Sequence, residues 1–177
     1  FIRWSQAAVF SAHMRLHGIG QREPWSYGKE AEEAVNKALK LRYQLMPYIY
    51  QTMQQAALTG LPLMRAMPLA FPNQRLAYSF ELQFMFGDSL LVAPCVNSHG
   101  TVEVYLPEGE WLRFPDRQEY CGHQVIKLQL KLDEIAVFAI KGHSIPIGLD
   151  VKNVEMLTTD YATTDSLQHW PHHSFKE

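Results

Sequence analysis

Arg3-Trp4-Ser5-Gln6, Met14-Arg15-Leu16-His17-Gly18 and Arg22-Glu23-Pro24-Trp25 are the parts of the opening stretch from which we infer the fold. An apolar run at residues 7–10 is expected to lead into a short strand that ends at His17-Gly18. A cation and an imidazole at the C-terminal end of a strand, followed by a loop with Trp25, are typical of a polar ligand site in a parallel α/β architecture. An alternative stays open, in which Arg15 pairs with a carboxylate and His17 is a hydrogen-bonded core histidine.

A long amphipathic helix is predicted next, over residues 30–59. Its apolar side chains recur every three or four residues, three glutamates lie in its first turns, and Gly60 is placed to cap its C-terminal end. Pro47 lies inside this helix. Because proline lacks a backbone N–H and clashes with the preceding turn, we expect a kink there, or two helices.

Short strands are predicted after Gly60, at a spacing of about ten residues. Gly87-Asp88 is expected to form a turn in which the Asp88 carboxylate bonds backbone amides, and Glu108-Gly109 a tight hairpin. This spacing predicts an antiparallel β-sandwich. The predicted strands cover residues 63–67, 84–86, 90–93, 102–106, 125–132, 136–140 and 145–147.

Composition excludes several classes of function. The chain has 177 residues, 47% of them hydrophobic and 19% charged, with a net charge of -2, which is ordinary for a globular protein of one or two domains. It carries no basic stripe for nucleic acid and no apolar run of the roughly 18 to 20 residues that a membrane span needs. Cys95 and Cys121 lack metal-ligand spacing and are most simply reduced thiols of a cytoplasmic protein, although a bridge between them stays open.

The opening segments resemble glycoside hydrolase family 31, the α-glucosidases and α-xylosidases. Arg-Trp-x-Gln, Met-Arg-Leu-His-Gly and Arg-Glu-Pro-Trp carry the resemblance, which runs from residue 1 to about Gly148. Later blocks agree with it in order: residues 42–50 (RYQLMPYIY), 60–65 (GLPLMR), 83–94 (QFMFGDSLLVAP) and 105–111 (YLPEGEW). The chain departs from the family at Asn73-Gln74, where an acidic pair is usual after Phe-Pro.

The resemblance implies an α+β fragment. Residues 1–60 would be the last strand and helix of a (β/α)8 barrel, residues 61–148 the proximal β-sandwich domain, and residues 149–177 the start of a distal β-domain or a loose tail. With no initiator Met and no signal peptide, we expect the chain to begin inside a longer protein. Its first partner would be the missing N-terminal part of the barrel, because an isolated barrel strand leaves its edges and faces open. A homo-oligomer is also possible.

The resemblance further implies retaining hydrolysis of α-xylosides or α-glucosides by the parent enzyme. That mechanism needs two carboxylates. The family's Trp-x-Asp-Met-Asn-Glu-like nucleophile motif and its acid/base segment are both absent from this sequence, so we assign no catalytic residue here and expect the chain alone to be inactive. Residues 11–18 look more like the bacterial α-xylosidase branch. The alternative is a non-catalytic accessory β-sandwich module that binds carbohydrate or a partner domain.

Two substrate-binding residues are assigned, His17 and Trp25. In the family, the histidine of this Arg-x-His segment hydrogen-bonds sugar hydroxyls, and a neutral imidazole both donates and accepts. Trp25 is placed to stack on a sugar face or to pack on a helix. Arg15 is expected to be structural. No cofactor or metal is assigned, since His169, His172 and His173 near the C-terminus suggest at most adventitious metal binding.

Overall fold

The structure, a computed structural model, describes residues 1–148 and 168–170. Helices dominate the first third of the chain, and strands dominate the remaining described residues. The helices are α1 (Ile2–Val9), α2 (Lys29–Gln44), α3 (Met46–Thr59) and α4 (Met67–Ala70), with 3-10 turns at Pro24–Tyr27 and Arg75–Ser79. The strands are β1 (Met64–Ala66), β2 (Phe84–Phe86), β3 (Leu90–Ala93), β4 (Thr101–Leu106), β5 (Glu110–Arg113), β6 (Glu119–Cys121), β7 (Gln124–Gln129), β8 (Ala136–Ile140), β9 (Ile145–Ile147) and β10 (Gln168–Trp170).

The long helix is broken next to Pro47, as its sequence predicts. α2 ends at Gln44 and α3 begins at Met46, so that Pro47 occupies the first turn of α3, where its missing N–H costs nothing. The break frees the carbonyl of Gln44, which accepts a hydrogen bond from the Gly148 amide at 2.7 Å. Gly60 caps α3 in the left-handed conformation, with φ of 77°.

The predicted strand before His17 does not form in this chain by itself. Residues 2–9 form α1, and residues 14–17 run without regular structure. The buried residues of α1 are Ser5, Gln6 and Val9, and this spacing is that of one face of a helix. A strand also needs a neighbouring strand to pair with, and within the described residues nothing pairs with residues 14–17.

Strands form the antiparallel sandwich that the sequence predicts. A six-stranded sheet has the order β1-β2-β3-β8-β5-β6, a second sheet pairs β4 with β7, and β9 pairs with β10. The predicted hairpin at Glu108-Gly109 is wrong: β4 pairs with β7, whereas β5 pairs with β6 and β8. The turn instead carries the chain from one sheet to the other. Leu106 before it and Trp111 after it bury in the same core, and turn composition alone does not tell a sheet-to-sheet crossing from a hairpin.

Both faces of the six-stranded sheet are covered, which makes three layers. Alternate residues of β3 point to opposite sides: Leu90 and Val92 join the cluster formed with the helices, and Leu91 and Ala93 join the cluster formed with β4. β8 alternates in the same way. A strand buried on both faces loses its period-two pattern, which explains the continuous apolar runs in the sequence.

The core on the helical side crosses residue 60. Ala38, Leu45 and Ile49 of the helices lie in one cluster with Leu90 and Val137 of the sheet. The helices are therefore packed directly onto the sandwich. The division of the chain at residues 60 and 148 stays a prediction.

The C-terminal strand β10 returns to this core. It pairs with β9, with Trp170 opposite Ile145, and the Trp170 ring lies 5.1 Å from that of Phe114. Predictions for residues 149–167 and 171–177, including a strand at residues 151–157 and the side chains of His172 and His173, fall outside the described residues.

Candidate functional site

Helix α1 is bound to the sandwich by polar side chains that reach the loop of residues 130–134, here called the 130–134 loop. Arg3 Nη1 donates to the Glu134 carbonyl at 2.7 Å, and Gln6 Nε2 donates to the Leu132 carbonyl at 2.7 Å. These are the arginine and glutamine of the Arg-Trp-x-Gln motif. Sequence reasoning missed this role, although their spacing of three residues already places them on one face of a helix.

Lys37 of α2 adds an ion pair to the same loop. Its Nζ lies 2.7 Å from Asp133 Oδ2. The hydrogen bond from Lys37 lowers the pKa of the Asp133 carboxyl, and the lysine's positive charge acts in the same direction. The side chains are 64% and 41% exposed, so this pair contributes little to stability.

The segment that leads to His17 is held by Arg42 of α2. Arg42 Nη1 donates to the carbonyls of Val9, at 2.6 Å, and Ser11, and Nη2 donates to the carbonyl of Ala12 at 3.2 Å. These acceptors are the last carbonyl of α1 and two in the bend that follows it. Burial lowers the pKa of Arg42, but a guanidinium remains charged at neutral pH. Nothing in the residue pattern indicated this contact beyond the presence of Arg42 in a family block.

His17 and Arg15 are exposed on the segment beyond this bend. Neither forms a hydrogen bond or an ion pair with another residue in the described part of the chain. The alternative interpretation, a core histidine and a paired arginine, has no partner for either side chain within the described residues and stays a prediction for the complete barrel. Whether His17 binds sugar stays a prediction.

A short loop carries Trp25 on a 3-10 turn that is tied to the start of α1. Arg22 Nη1 donates to the Tyr27 hydroxyl at 2.6 Å, and the Tyr27 ring stacks on Phe1 at a centroid distance of 3.9 Å. Pro24 is buried beneath the turn. Trp25 is 64% exposed, so its indole is largely open to solvent and packs only in small part.

Asp88 has a different partner from the one predicted. Its carboxylate accepts from Arg65, whose side chain is 9% exposed, and no bond from Asp88 to a backbone amide is among its described contacts. A buried guanidinium needs a counter-charge, and this requirement outweighs local turn bonding. Next to it, the Tyr48 hydroxyl reaches so close to Gly87 that a Cβ there would lie 2.3 Å from its oxygen.

Gln74, which the resemblance marks as a departure from a usual acidic residue, bonds the end of β4. Its Oε1 accepts from the Tyr105 hydroxyl at 2.7 Å and from the Glu108 amide at 3.0 Å. A neutral amide thus holds this turn. The substitution in the Phe-Pro turn leaves the 130–134 loop and the His17 segment untouched.

Metal ligands do not gather in the described residues, which contain no group of three or more His, Cys, Asp or Glu side chains able to hold a metal ion. Cys95 is buried and Cys121 is exposed on β6, and both thiols are free. Among the described helices, none has both the length and the apolar character needed to cross a bilayer.

Two family models match the chain in order. The glycosyl hydrolase family 31 TIM-barrel domain matches residues 1–52, and the family 31 C-terminal domain matches residues 60–145. An α-xylosidase from Saccharolobus solfataricus is 35% identical over 159 residues, which make up 88% of this chain and 22% of that protein. α-Glucosidase 2 from Bacillus thermoamyloliquefaciens is 30% identical over 165 residues, or 91% of this chain and 21% of that protein.

Solved structures agree with the sequence matches. A family 31 dextranase from Flavobacterium johnsoniae, complexed with glucose, superimposes with a TM-score of 0.82 at 42% identity, covering 85% of this chain and 19% of that one. The chain thus spans about a fifth of the length of each of these relatives.

Proposed function

Because this chain belongs to glycoside hydrolase family 31, we propose that the protein containing it is a retaining α-glycosidase acting on α-xylosides or α-glucosides. The observation that carries the proposal is the order of the two matches, the end of the barrel followed by the C-terminal domain, along one continuous chain. Relatives named α-xylosidase and α-glucosidase support the substrate class. The segment at residues 11–18 favours the α-xyloside.

We assign this chain a binding role within that enzyme, with the two catalytic carboxylates supplied by the rest of the barrel. His17 would bind sugar hydroxyls, since its imidazole is exposed and engages no described residue. A neutral imidazole offers one donor and one acceptor, which suits neighbouring hydroxyls. Trp25 would stack on a sugar ring with its exposed indole.

The missing part of the barrel is the proposed partner of the exposed face around α1. Trp4 is 74% exposed and Ile19 is 96% exposed, and both lie in the part of the chain that matches the barrel. Large apolar side chains left open in this way are typical of a surface that another part of the protein covers. A cytoplasmic location stays a prediction from the free thiols.

The second candidate is a non-catalytic accessory module that binds carbohydrate or a partner domain. The common core of the helices and the sandwich favours it, because such a unit can fold without the barrel. It predicts that carbohydrate binding, where present, needs nothing upstream of Phe1. The enzyme proposal predicts a Trp-x-Asp-Met-Asn-Glu motif upstream.

Proton NMR of hydrolysis products tests the enzyme proposal on the full-length protein. With p-nitrophenyl α-D-xyloside or α-D-glucoside, we expect the α-anomer of the free sugar to form first and then mutarotate. First release of the β-anomer would refute a retaining mechanism. No release from either substrate would favour the accessory module.

A further inference from the structure

We propose that Arg42 is a positioning residue for the sugar-binding imidazole of His17, acting through the backbone carbonyls at the end of α1. The inference rests on the proposed function of His17 and goes beyond it. It assigns a role in substrate binding to the side chain of Arg42 on α2. In this proposal Arg42 does not itself touch the substrate.

The geometry begins with a rigid support. α2 carries Ala38 into the core one turn before Arg42, and Leu45, just after the helix, is fully buried. The Arg42 guanidinium therefore projects from a fixed point. Its Nη1 and Nη2 bind the carbonyls of Val9, Ser11 and Ala12.

These carbonyls lie at the end of α1 and in the bend that follows it, which sets the direction of the backbone. α1 ends at Val9, and the bend at residues 11–13 turns the backbone toward His17, five residues beyond Ala12. The Ser11 hydroxyl lies 2.8 Å from the His13 carbonyl and connects the bend to the next residues. Met14 packs on the core. Only Arg15 and Leu16 therefore separate His17 from Met14, the last residue before it that packs on the core.

A role of Arg42 in stability alone explains less of these bonds. Val9 and Phe10 are 1% and 0% exposed, so apolar burial already holds the end of α1 against the sheet. Arg42 adds orientation of three carbonyl groups, that of Val9 at this anchor and those of Ser11 and Ala12 just beyond it. A planar guanidinium bonds several carbonyls from one fixed fork, whereas a lysine ammonium acts as a point charge.

A double-mutant cycle in the full-length protein tests the proposal. Arg42→Met, His17→Ala and the double variant are compared for kcat/KM on p-nitrophenyl α-D-xyloside or α-D-glucoside, whichever the protein hydrolyses. We expect Arg42→Met alone to lower kcat/KM about tenfold, less than the roughly hundredfold that a misplacement of about 1 Å can cost. In the His17→Ala background, the same change is expected to cost less than about twofold, because the group it positions is gone.

Two controls separate positioning from stability. Lys40→Met removes an exposed charge from the same helix and should leave both kcat/KM and the melting temperature unchanged. Arg42→Lys keeps the charge with a single ammonium, and we expect about a threefold loss of kcat/KM that also disappears in the His17→Ala background. Arg42→Lys takes the place of Arg42→Met in the cycle if the methionine variant does not fold.

The outcomes distinguish this inference from the proposed function. Equal losses from the Arg42 variant in both backgrounds, or no loss in either, would overturn the positioning role while leaving the enzyme proposal intact. No glycosidase activity in the wild-type protein would overturn the enzyme proposal, and full activity in His17→Ala would overturn the binding role proposed for His17. Either result would overturn this inference as well. A loss of kcat/KM from Arg42→Met that appears only when His17 is present supports both the positioning role of Arg42 and the binding role of His17.

Discussion

Replacing Tyr48 with phenylalanine should destabilise the joint between the helices and the sandwich. The buried Tyr48 hydroxyl donates to the Phe86 carbonyl at 2.7 Å and accepts from the Ser89 amide at 3.1 Å. These two backbone groups flank the turn at Gly87-Asp88. Phenylalanine keeps the ring and its packing but removes both bonds.

The expected cost follows from burial. Phe86 and Ser89 are 0% and 8% exposed, so water does not readily replace the lost partner. Leaving a buried donor or acceptor unsatisfied costs about 1–3 kcal/mol, and two such groups here give an expected loss of about 2–6 kcal/mol in the free energy of unfolding. That is a large fraction of the stability of an ordinary domain.

Urea unfolding of the purified chain, followed by tryptophan fluorescence and far-ultraviolet circular dichroism, measures this loss. Tyr78→Phe is the matched control. The Tyr78 hydroxyl donates to the Pro72 carbonyl at 3.1 Å, and Tyr78 is 55% exposed. Water can replace that bond, so we expect the control to lose less than about 0.5 kcal/mol. Equal losses from the two variants would refute the argument from burial.

The same hydroxyl predicts an alkaline effect. Burial raises the pKa of Tyr48 above its ordinary value of 10.0. A raised pKa in the folded state means that this group's contribution is fully present below pH 10.0 and is lost as the pH rises toward the folded-state pKa. The unfolding free energy of the wild type should therefore fall more steeply above that pH than that of Tyr48→Phe.

Three further changes test the site and the charges. His17→Ala in the full-length protein should reduce kcat/KM by the equivalent of about 1.5–3 kcal/mol with little change in melting temperature, and the reverse pattern would assign His17 a structural role. The chain by itself should not release p-nitrophenol from the α-xyloside or α-glucoside; turnover that is abolished by changing one of its own carboxylates would contradict the missing-carboxylate argument. Asp133→Asn should cost less than about 1 kcal/mol at neutral pH and low salt. Because Lys37 lowers the pKa of Asp133, the wild type should lose this advantage as the pH falls below 3.8, and high salt should abolish it at neutral pH.

Local sequence signals predicted the elements whose causes are local. The break at Pro47 and the cap at Gly60 depend on backbone chemistry within a few residues, and both formed where predicted. The runs of β3 and β8 were recognisable because strands covered on both faces are continuously apolar. The resemblance then supplied the order of barrel end and sandwich, which the family models confirm.

Pairing and long-range contacts were not predictable in this way. The partner of β4 lies in β7, beyond β5 and β6, and the turn at Glu108-Gly109 has the composition of a hairpin. The bonds from Arg42 to the end of α1 join residues about thirty positions apart. A guanidinium binding carbonyls leaves no trace in a residue pattern, since every residue carries a carbonyl.

The core that crosses residue 60 bears on where two members of this family can be joined in a chimera. A chimera that joins the sandwich of one member to the helices of another at Gly60 would combine core side chains from two different parents within one hydrophobic cluster. Side chains of mismatched volume leave cavities or clashes in that cluster, and each one lowers the folding stability by about 1–5 kcal/mol. A chimera that keeps α1, α2, α3 and the sandwich from one parent should therefore fold more often than one joined at Gly60.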